Sequence, residues 1–164
     1  MIERILVPLD GSEFSEHVLD WLAPRVDADT HLILLRVVPT LGATDWAGFG
    51  AWSTTPGGEP ADDPRSQARA YLEGLRERLS HAGAVKVVVE AGDPGPEILE
   101  AARRFRVDAV AMASHGRAGL GRKLIGSVAE YVLQRAAVPL FLVGPRSYGL
   151  RPVGRAPSVP RTEG

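Results

Sequence analysis

Five short apolar runs alternate with four segments of helical periodicity along most of the chain, and this alternation limits the fold more than any other feature. Ile5 to Leu9 is apolar and ends in Pro8-Leu9-Asp10-Gly11. Phe14, Val18, Trp21 and Leu22 then recur at helical spacing from Ser12, which is placed as an N-cap, and Pro24 stops the helix near Ala23. His31 to Val38 is almost continuously apolar, the pattern of a strand covered on both faces. Asp62, Asp63 and Pro64 open a second helix whose stripe is Ala68, Tyr71, Leu72, Leu75 and Leu79, with Gly83 as its end. Val85 to Glu90 reads as strand three. Gly92 to Pro96 starts a helix carrying Ile98, Leu99, Ala102 and Phe105, followed by strand four from Val107 to Ala113. Ser127 to Ala136 is the fourth helix and Val138 to Val143 the fifth strand. Strands and helices in this order imply an α/β fold: one domain with an open, parallel, five-stranded sheet and helices on both faces. Ligands of such sheets sit beyond the carboxyl ends of the strands, where strand order reverses.

Composition removes several classes of function. A chain of 164 residues, 45% hydrophobic, supports one core of ordinary size. With 19 basic against 20 acidic residues and a net charge of -1, nothing in the balance suggests a polyanion-binding surface, so nucleic acid is not the expected partner. The absence of cysteine excludes disulfides, thiol catalysis and thiolate metal sites. No apolar run approaches the roughly 18 residues of a membrane span, and the first residues lack a signal peptide's pattern, so the reading is a cytoplasmic protein with no membrane partner. His17, His31 and His81 fall on separate elements without a carboxylate at metal-ligand spacing.

The chemistry is concentrated in ASHGRAGLGRKLIGSV, residues 113 to 128, which places four glycines within eleven residues just after an apolar run. Glycine lets a ligand approach the backbone closely. Where such a loop enters a helix, the first-turn N–H groups have no internal partner and the helix dipole adds partial positive charge, which suits a phosphate. Gly126-Ser127-Val128 is that entrance. Each charge-assisted hydrogen bond contributes roughly 1.5 to 3 kcal/mol. Three or four are needed to offset an association cost of about 4 to 15 kcal/mol, so base and ribose contacts must supply the surplus. Arg117, Arg122 and Lys123 either add charge for a triphosphate or form a solvated loop.

These residues resemble the universal stress proteins of the UspA type. Nucleotide-binding members carry Gly-x-x-Gly, nine residues, then Gly-Ser or Gly-Thr. Here Ala113-Ser-His-Gly116, the stretch Arg117 to Ile125 and Gly126-Ser127 match, with alanine in place of the first glycine. ILVPLDGSEFS is similar to the family's first strand and turn, and GDPGPEIL to its third strand-to-helix turn. The resemblance covers residues 2 to about 144. It implies a Rossmann-like sheet of the adenine nucleotide alpha hydrolase type, with ATP and Mg²⁺ as cofactors. It places Pro8 beside the adenine, Asp10 at the ribose or near nucleotide-bound magnesium, and the Val37 backbone at the adenine edge. It lays the phosphates on Gly116, Gly126, Ser127 and Val128, with Ala113 close to ribose or phosphate. It also implies a homodimer through the strand at 138–143, one face of which packs on its own helices while the other helps bury the contact.

Plainer readings stand beside these. Asp10 is also a normal turn residue with Gly11 supplying the special dihedral, and Ser127 with Glu130 spells a capping box. Residues 40–60, with Trp46, Phe49 and Trp52, form a mobile loop that either packs on strand edges or covers the crevice, and residues 145–164 read as a disordered tail. The motif region has no Glu to act as general base and no Walker ending, so ATP hydrolysis is at most slow. The alternatives are an ATP-holding regulatory module and a nucleotide-free scaffold that works through its dimer and partner surfaces.

Overall fold

The computed structural model describes residues 2–40, 63–79, 82–114 and 126–144. Along them run β1 (Arg4–Pro8), α1 (Glu13–Leu22), a 3-10 turn (Ala23–Arg25), β2 (His31–Val38), α2 (Pro64–Glu77), β3 (Ala84–Ala91), α3 (Pro94–Arg104), β4 (Ala109–Ala113), α4 (Ser127–Arg135) and β5 (Leu140–Val143). The five strands form one sheet in the order β3-β2-β1-β4-β5, and every pairing is parallel. The chain therefore lays β2 and β3 on one side of β1 and returns to lay β4 and β5 on the other. The order reverses between β1 and β4, and the carboxyl ends of those two strands are where a ligand crevice forms in this class of sheet.

Strand alternation divides the core into two layers. Ile5, Val7, Leu9, Leu32 and Leu34 face one side, where Val18, Leu19 and Leu22 of α1 and Leu72 and Leu75 of α2 cover them. Leu6, Ile33, Leu35, Val88, Val110 and Met112 face the other, against Ile98, Ala101 and Ala102 of α3 and Ala129 and Val132 of α4. The two helices of each face are fastened in different ways. Tyr71 on α2 donates to Glu16 Oε1 on α1 at 3.0 Å, and Arg78 donates to Glu16 Oε2 at 2.9 Å. On the opposite face a side chain at Gly95 of α3 would come within 2.6 Å of the Tyr131 ring of α4, so only glycine permits the contact.

Ser12 caps α1 as its position suggests, its Oγ accepting from Ser15 N–H at 3.1 Å, and Asp63 caps α2. Two strand starts differ from the sequence reading. Strand four begins at Ala109 rather than Val107, because α3 closes in a Schellman turn: Val107 N–H reaches Ala102 C=O and Arg106 N–H reaches Arg103 C=O, both at 3.1 Å. Val107 is still buried, which is why its apolar character mimicked a strand. Strand five begins at Leu140 rather than Val138, since Pro139 has no N–H for a ladder and contributes only its C=O, to Val110 N–H at 2.9 Å. β5 does border the sheet. Its two faces, however, both pack on the chain's own helices. Val138, Leu140 and Leu142 lie against the α3–α4 layer, and Phe141 and Val143 belong to the α1 layer. Leu140, Phe141 and Leu142 are only half-buried, so both faces of β5 keep accessible area beside its open backbone edge.

The Schellman turn puts Arg106 at φ 49, in the left-handed region, without the glycine usual there. A left-handed L-residue costs about 1 to 2 kcal/mol, whereas glycine costs about 0.4 to 1 kcal/mol of extra unfolded-chain entropy. Arg106→Gly is therefore expected to stabilise the fold by about 0.5 to 1 kcal/mol in urea denaturation, and a loss of stability would show that the Arg106 side chain contributes more than its backbone strain costs.

Candidate functional site

The crevice follows from the hydrogen-bond pattern of β1. Leu9 N–H donates to Leu35 C=O at 2.8 Å, so Ile5, Val7 and Leu9 turn their backbone polar groups to β2, while Arg4, Leu6 and Pro8 turn theirs to β4. Pro8 has no N–H. The register between β1 and β4 runs from Ile5 opposite Ala109 to Leu6 opposite Val110 and goes no further, although β4 continues to Ala113. Beyond Pro8 a gap separates β2 from β4. Val37 faces it, since Val38 C=O is engaged by Gly92 N–H on the β3 side at 3.0 Å and alternation turns Val37 the other way, past the end of β1. Ala113 faces the same gap, because its neighbour Ser114 donates to Val143 of β5 at 3.0 Å. Val37 offers one backbone donor and one acceptor to whatever enters.

The loop between β1 and α1 forms the floor at Asp10. Asp10 Oδ1 accepts from Ser12 N–H at 2.9 Å and from Ser12 Oγ at 2.5 Å, a closed Asx turn. Its backbone N–H donates to Ser15 Oγ at 3.3 Å. Gly11 stands at φ 83, which few side chains tolerate. The turn role expected for Asp10 is thus present, and Oδ2 remains as an acceptor. Burial pushes the Asp10 carboxyl up, but the hydrogen bonds from Ser12 and Ser15 and the charge of Arg36 outweigh it and hold the carboxyl below its ordinary value. Asp10 is ionised at neutral pH.

Arg36 is a candidate for the site that the sequence pattern did not single out. It lies near the carboxyl end of β2, and a Cβ built on Gly11 would be only 2.5 Å from its Nη1, 3.0 Å from Cζ and 3.1 Å from Nη2. The guanidinium therefore lies across the Gly11 backbone. Nε and Nη1 are buried with no hydrogen-bond partner among the described residues. The available signal was one cation inside LILLRVV, an otherwise apolar strand.

At the other wall, α4 begins one residue differently from the capping-box reading. Its first helical hydrogen bond, Glu130 N–H to Gly126 C=O at 2.8 Å, makes Gly126 the N-cap and Ser127 the first helical residue. No cap side chain satisfies the first turn, unlike α1 and α2. The N–H groups of the Ser127–Val128 turn thus lack a side-chain acceptor from the cap. Gly126 has φ -63 and ψ 154, an ordinary extended conformation that any residue adopts.

Pro8, Asp10, Val37, Ala113, Gly126, Ser127 and Val128 all lie on segments at the carboxyl ends of β1, β2 and β4. Gly116, His115 and the basic loop residues lie outside the described residues, as do His81, the segment holding Trp46, Phe49 and Trp52, and the 145–164 tail. Magnesium does not fit the donors that the described residues supply. Mg²⁺ wants near-octahedral oxygen. Asp10 is the one carboxylate among these residues, one of its oxygens is occupied by Ser12, and a guanidinium neighbours it. Among the described residues no group of three or more His, Cys, Asp or Glu gathers at metal-binding distance, and no helix is long and apolar enough to cross a membrane.

A family model described as the universal stress protein family matches residues 1–144. Universal stress protein MJ0531 of Methanocaldococcus jannaschii is 29% identical over 150 residues, covering 87% of this chain and 82% of that protein. The crystal structure of a universal stress protein in complex with cAMP shares the fold with TM-score 0.63 and 18% identity, over 87% of this chain and 97% of that one. So does a family protein from Arabidopsis thaliana with AMP bound, with TM-score 0.57 and 15% identity, over 87% and 91%.

Gly11 meets two demands at once, a positive φ and the guanidinium of Arg36. Gly11→Ala is expected to destabilise the protein by about 1 to 3 kcal/mol in chemical denaturation. In Gly11→Ala/Arg36→Ala the collision is gone and only the dihedral cost remains, so part of the loss is recovered. Strict additivity of the two substitutions would contradict the contact.

Proposed function

The chain belongs to the universal stress protein family, and from that premise we propose that it is a regulatory module that holds ATP in the crevice between β1 and β4. What supports this reading is that the β1–β4 ladder stops at Leu6–Val110 while β2 and β4 run on, with the Asp10 turn directly after β1 and a first turn of α4 that no cap side chain fills. In this reading Val37, Asp10 and that first turn take the three parts of a nucleotide. Val37 offers the adenine edge a donor and an acceptor, with Pro8 as the apolar wall beside the ring. Asp10 accepts from ribose hydroxyls. The N–H groups of Ser127 and Val128 receive phosphate, assisted by the Ser127 hydroxyl and the dipole of α4. Ala113 stands where ribose or phosphate passes, and its methyl group narrows the passage. Gly116 belongs to the phosphate loop of this reading.

Two solved relatives hold adenine nucleotides, cAMP in one and AMP in the other, which supports the ligand class. ATP is proposed over a monophosphate on the resemblance of Ala113-Ser-His-Gly116, nine residues and Gly126-Ser127 to the pattern of the family's ATP-binding members. Magnesium enters as the counterion that a triphosphate carries in solution. The site binds rather than turns over its ligand: Asp10, its one described carboxylate, is tied into the Ser12 turn and is no free general base. With ATP as ligand the protein works in the cytoplasm, answering stress through the order of the segments around the crevice.

A second copy is the proposed partner, joined at β5. Val143 C=O receives Ser114 N–H and Pro139 C=O receives Val110 N–H, so Leu140 and Leu142 direct their backbone groups away from the sheet. That edge can pair antiparallel across a two-fold axis. Sedimentation is expected to show a wild-type dimer at micromolar concentration and a folded monomer for Leu142→Pro, which removes an outward N–H and leaves the ladder to β4 intact. A wild-type monomer would refute the pairing.

Calorimetry tests the ligand. Wild-type protein is expected to bind ATP with about micromolar affinity, roughly -8 kcal/mol, and Gly126→Val to weaken it at least tenfold by filling the phosphate's space. Unchanged affinity in Gly126→Val would move the ligand elsewhere, and no binding by the wild type would favour the nucleotide-free scaffold.

A further inference from the structure

Arg36 is the single charge between Leu32 and Val38 of β2, and its guanidinium lies flat on the turn that carries Asp10. We infer that Arg36 is a positioning residue that fills the place of a cation beside Asp10, so that the nucleotide is held with no divalent ion on Asp10 and the carboxylate is kept for sugar hydroxyls. This rests on the nucleotide reading and specifies how that site meets charge.

Three observations lead there. The guanidinium is fixed rather than loose: three of its atoms lie 2.5 to 3.1 Å from where a Gly11 side chain would begin, and glycine is what admits them. Its Nε and Nη1 are sealed from solvent without a hydrogen-bond acceptor among the described residues, so they are not surface donors that a ligand reaches directly. They act on what already neighbours them. A buried cation without a counter-charge is strongly unfavourable, and the titratable groups whose charge acts on Arg36 are Asp10 and Tyr71. Tyr71 gives its hydroxyl proton to Glu16 Oε1 at 3.0 Å, and Glu16 Oε2 is held by Arg78 at 2.9 Å, so that neighbouring acid is engaged with α2. Asp10 is left as the opposite charge that acts on Arg36, across the Gly11 turn and without an ion pair between the two.

The same arrangement disfavours metal. Asp10 Oδ1 already accepts two bonds from Ser12, at 2.9 and 2.5 Å, and the open coordination that a hard cation requires is absent from it. A doubly charged ion on Oδ2 would sit near a guanidinium that cannot move away without lifting off Gly11, in surroundings that screen repulsion far less than water does. A neutral hydroxyl on Oδ2 meets no such repulsion. Arg36 therefore decides which donors Asp10 accepts, though it touches no ligand itself.

Mn²⁺ followed by electron paramagnetic resonance, with ATP and with ATP omitted, reads this directly. At ATP concentrations that saturate each protein, Asp10→Asn is expected to weaken ATP but to leave the Mn²⁺ held per bound ATP within about twofold of the wild type, and wild-type ATP affinity in excess EDTA to stay within about threefold of that in Mg²⁺. Arg36→Gln should raise Mn²⁺ affinity of the ATP complex at least fivefold, a gain lost again in Arg36→Gln/Asp10→Asn; a merely structural arginine would not produce an Asp10-dependent metal site. Arg36→Lys keeps the charge and should show no such gain. A fivefold loss of Mn²⁺ per bound ATP in Asp10→Asn alone, or no change of metal affinity in folded Arg36→Gln, overturns the inference. Should Arg36→Gln fail to fold by circular dichroism, the Asp10→Asn comparison on the wild-type background decides. Failure of wild-type protein to bind ATP in either Mg²⁺ or EDTA is a different result: it removes the nucleotide reading and this inference with it.

Discussion

The hydrogen bond that Pro8 cannot make underlies the site. A residue with an N–H at that place would extend the β1–β4 ladder by another rung and draw β4 against β1 beyond Val110. Proline ends the ladder while β2 and β4 both continue, to Val38 and Ala113, so two strands overhang the end of the one between them. The overhang leaves Val37 and Ala113, both half-buried, turned toward the side where β1 has ended. The Asp10–Gly11 turn must follow at once, because α1 has to cross back over the sheet to cover Ile5 and Val7.

The rest of the molecule holds this geometry still. Each face of the sheet is sealed by a helix pair, one clamped by the Glu16–Tyr71–Arg78 cluster and the other by the close approach of Gly95 to Tyr131. Because α4 is packed on α3 through that contact, its uncapped first turn has a fixed direction relative to the strand ends. Asp108 ties the opposite end, accepting from Glu3 and Arg4 N–H at 2.9 and 2.8 Å and so joining β1 to the start of β4. Rigid strands and helices thus present the donors, and the connecting turns set only their final placement.

Most of this architecture is written in local patterns. Periodicity identified every strand and helix, and the apolar run of β2 announced burial on both faces, because those signals come from the residues of a single element. What escaped depends on partners remote in sequence. Val107 looked like strand because it is buried, yet its backbone serves the end of α3. Ser127 looked like a cap by composition, but the first helical bond falls to Gly126, and hydrogen bonding rather than residue type defines the cap. Arg36 was visible as an oddity in β2, but its meaning needs Gly11 and Asp10, which lie about 25 residues away along the chain and are brought to it by the parallel pairing of β1 with β2. The turn role of Asp10 was legible because an Asx turn is local.

In the proposed function the amides around one gap receive one ligand. Titrating isotope-labelled protein with ATP and following backbone amide resonances tests this most directly. Saturable shifts concentrated at Asp10, Val37, Ala113, Ser127 and Val128, with the amides of α2 and of the amino ends of the strands unmoved, is the predicted result; shifts that do not saturate, or that cluster away from the end of β1, would contradict it.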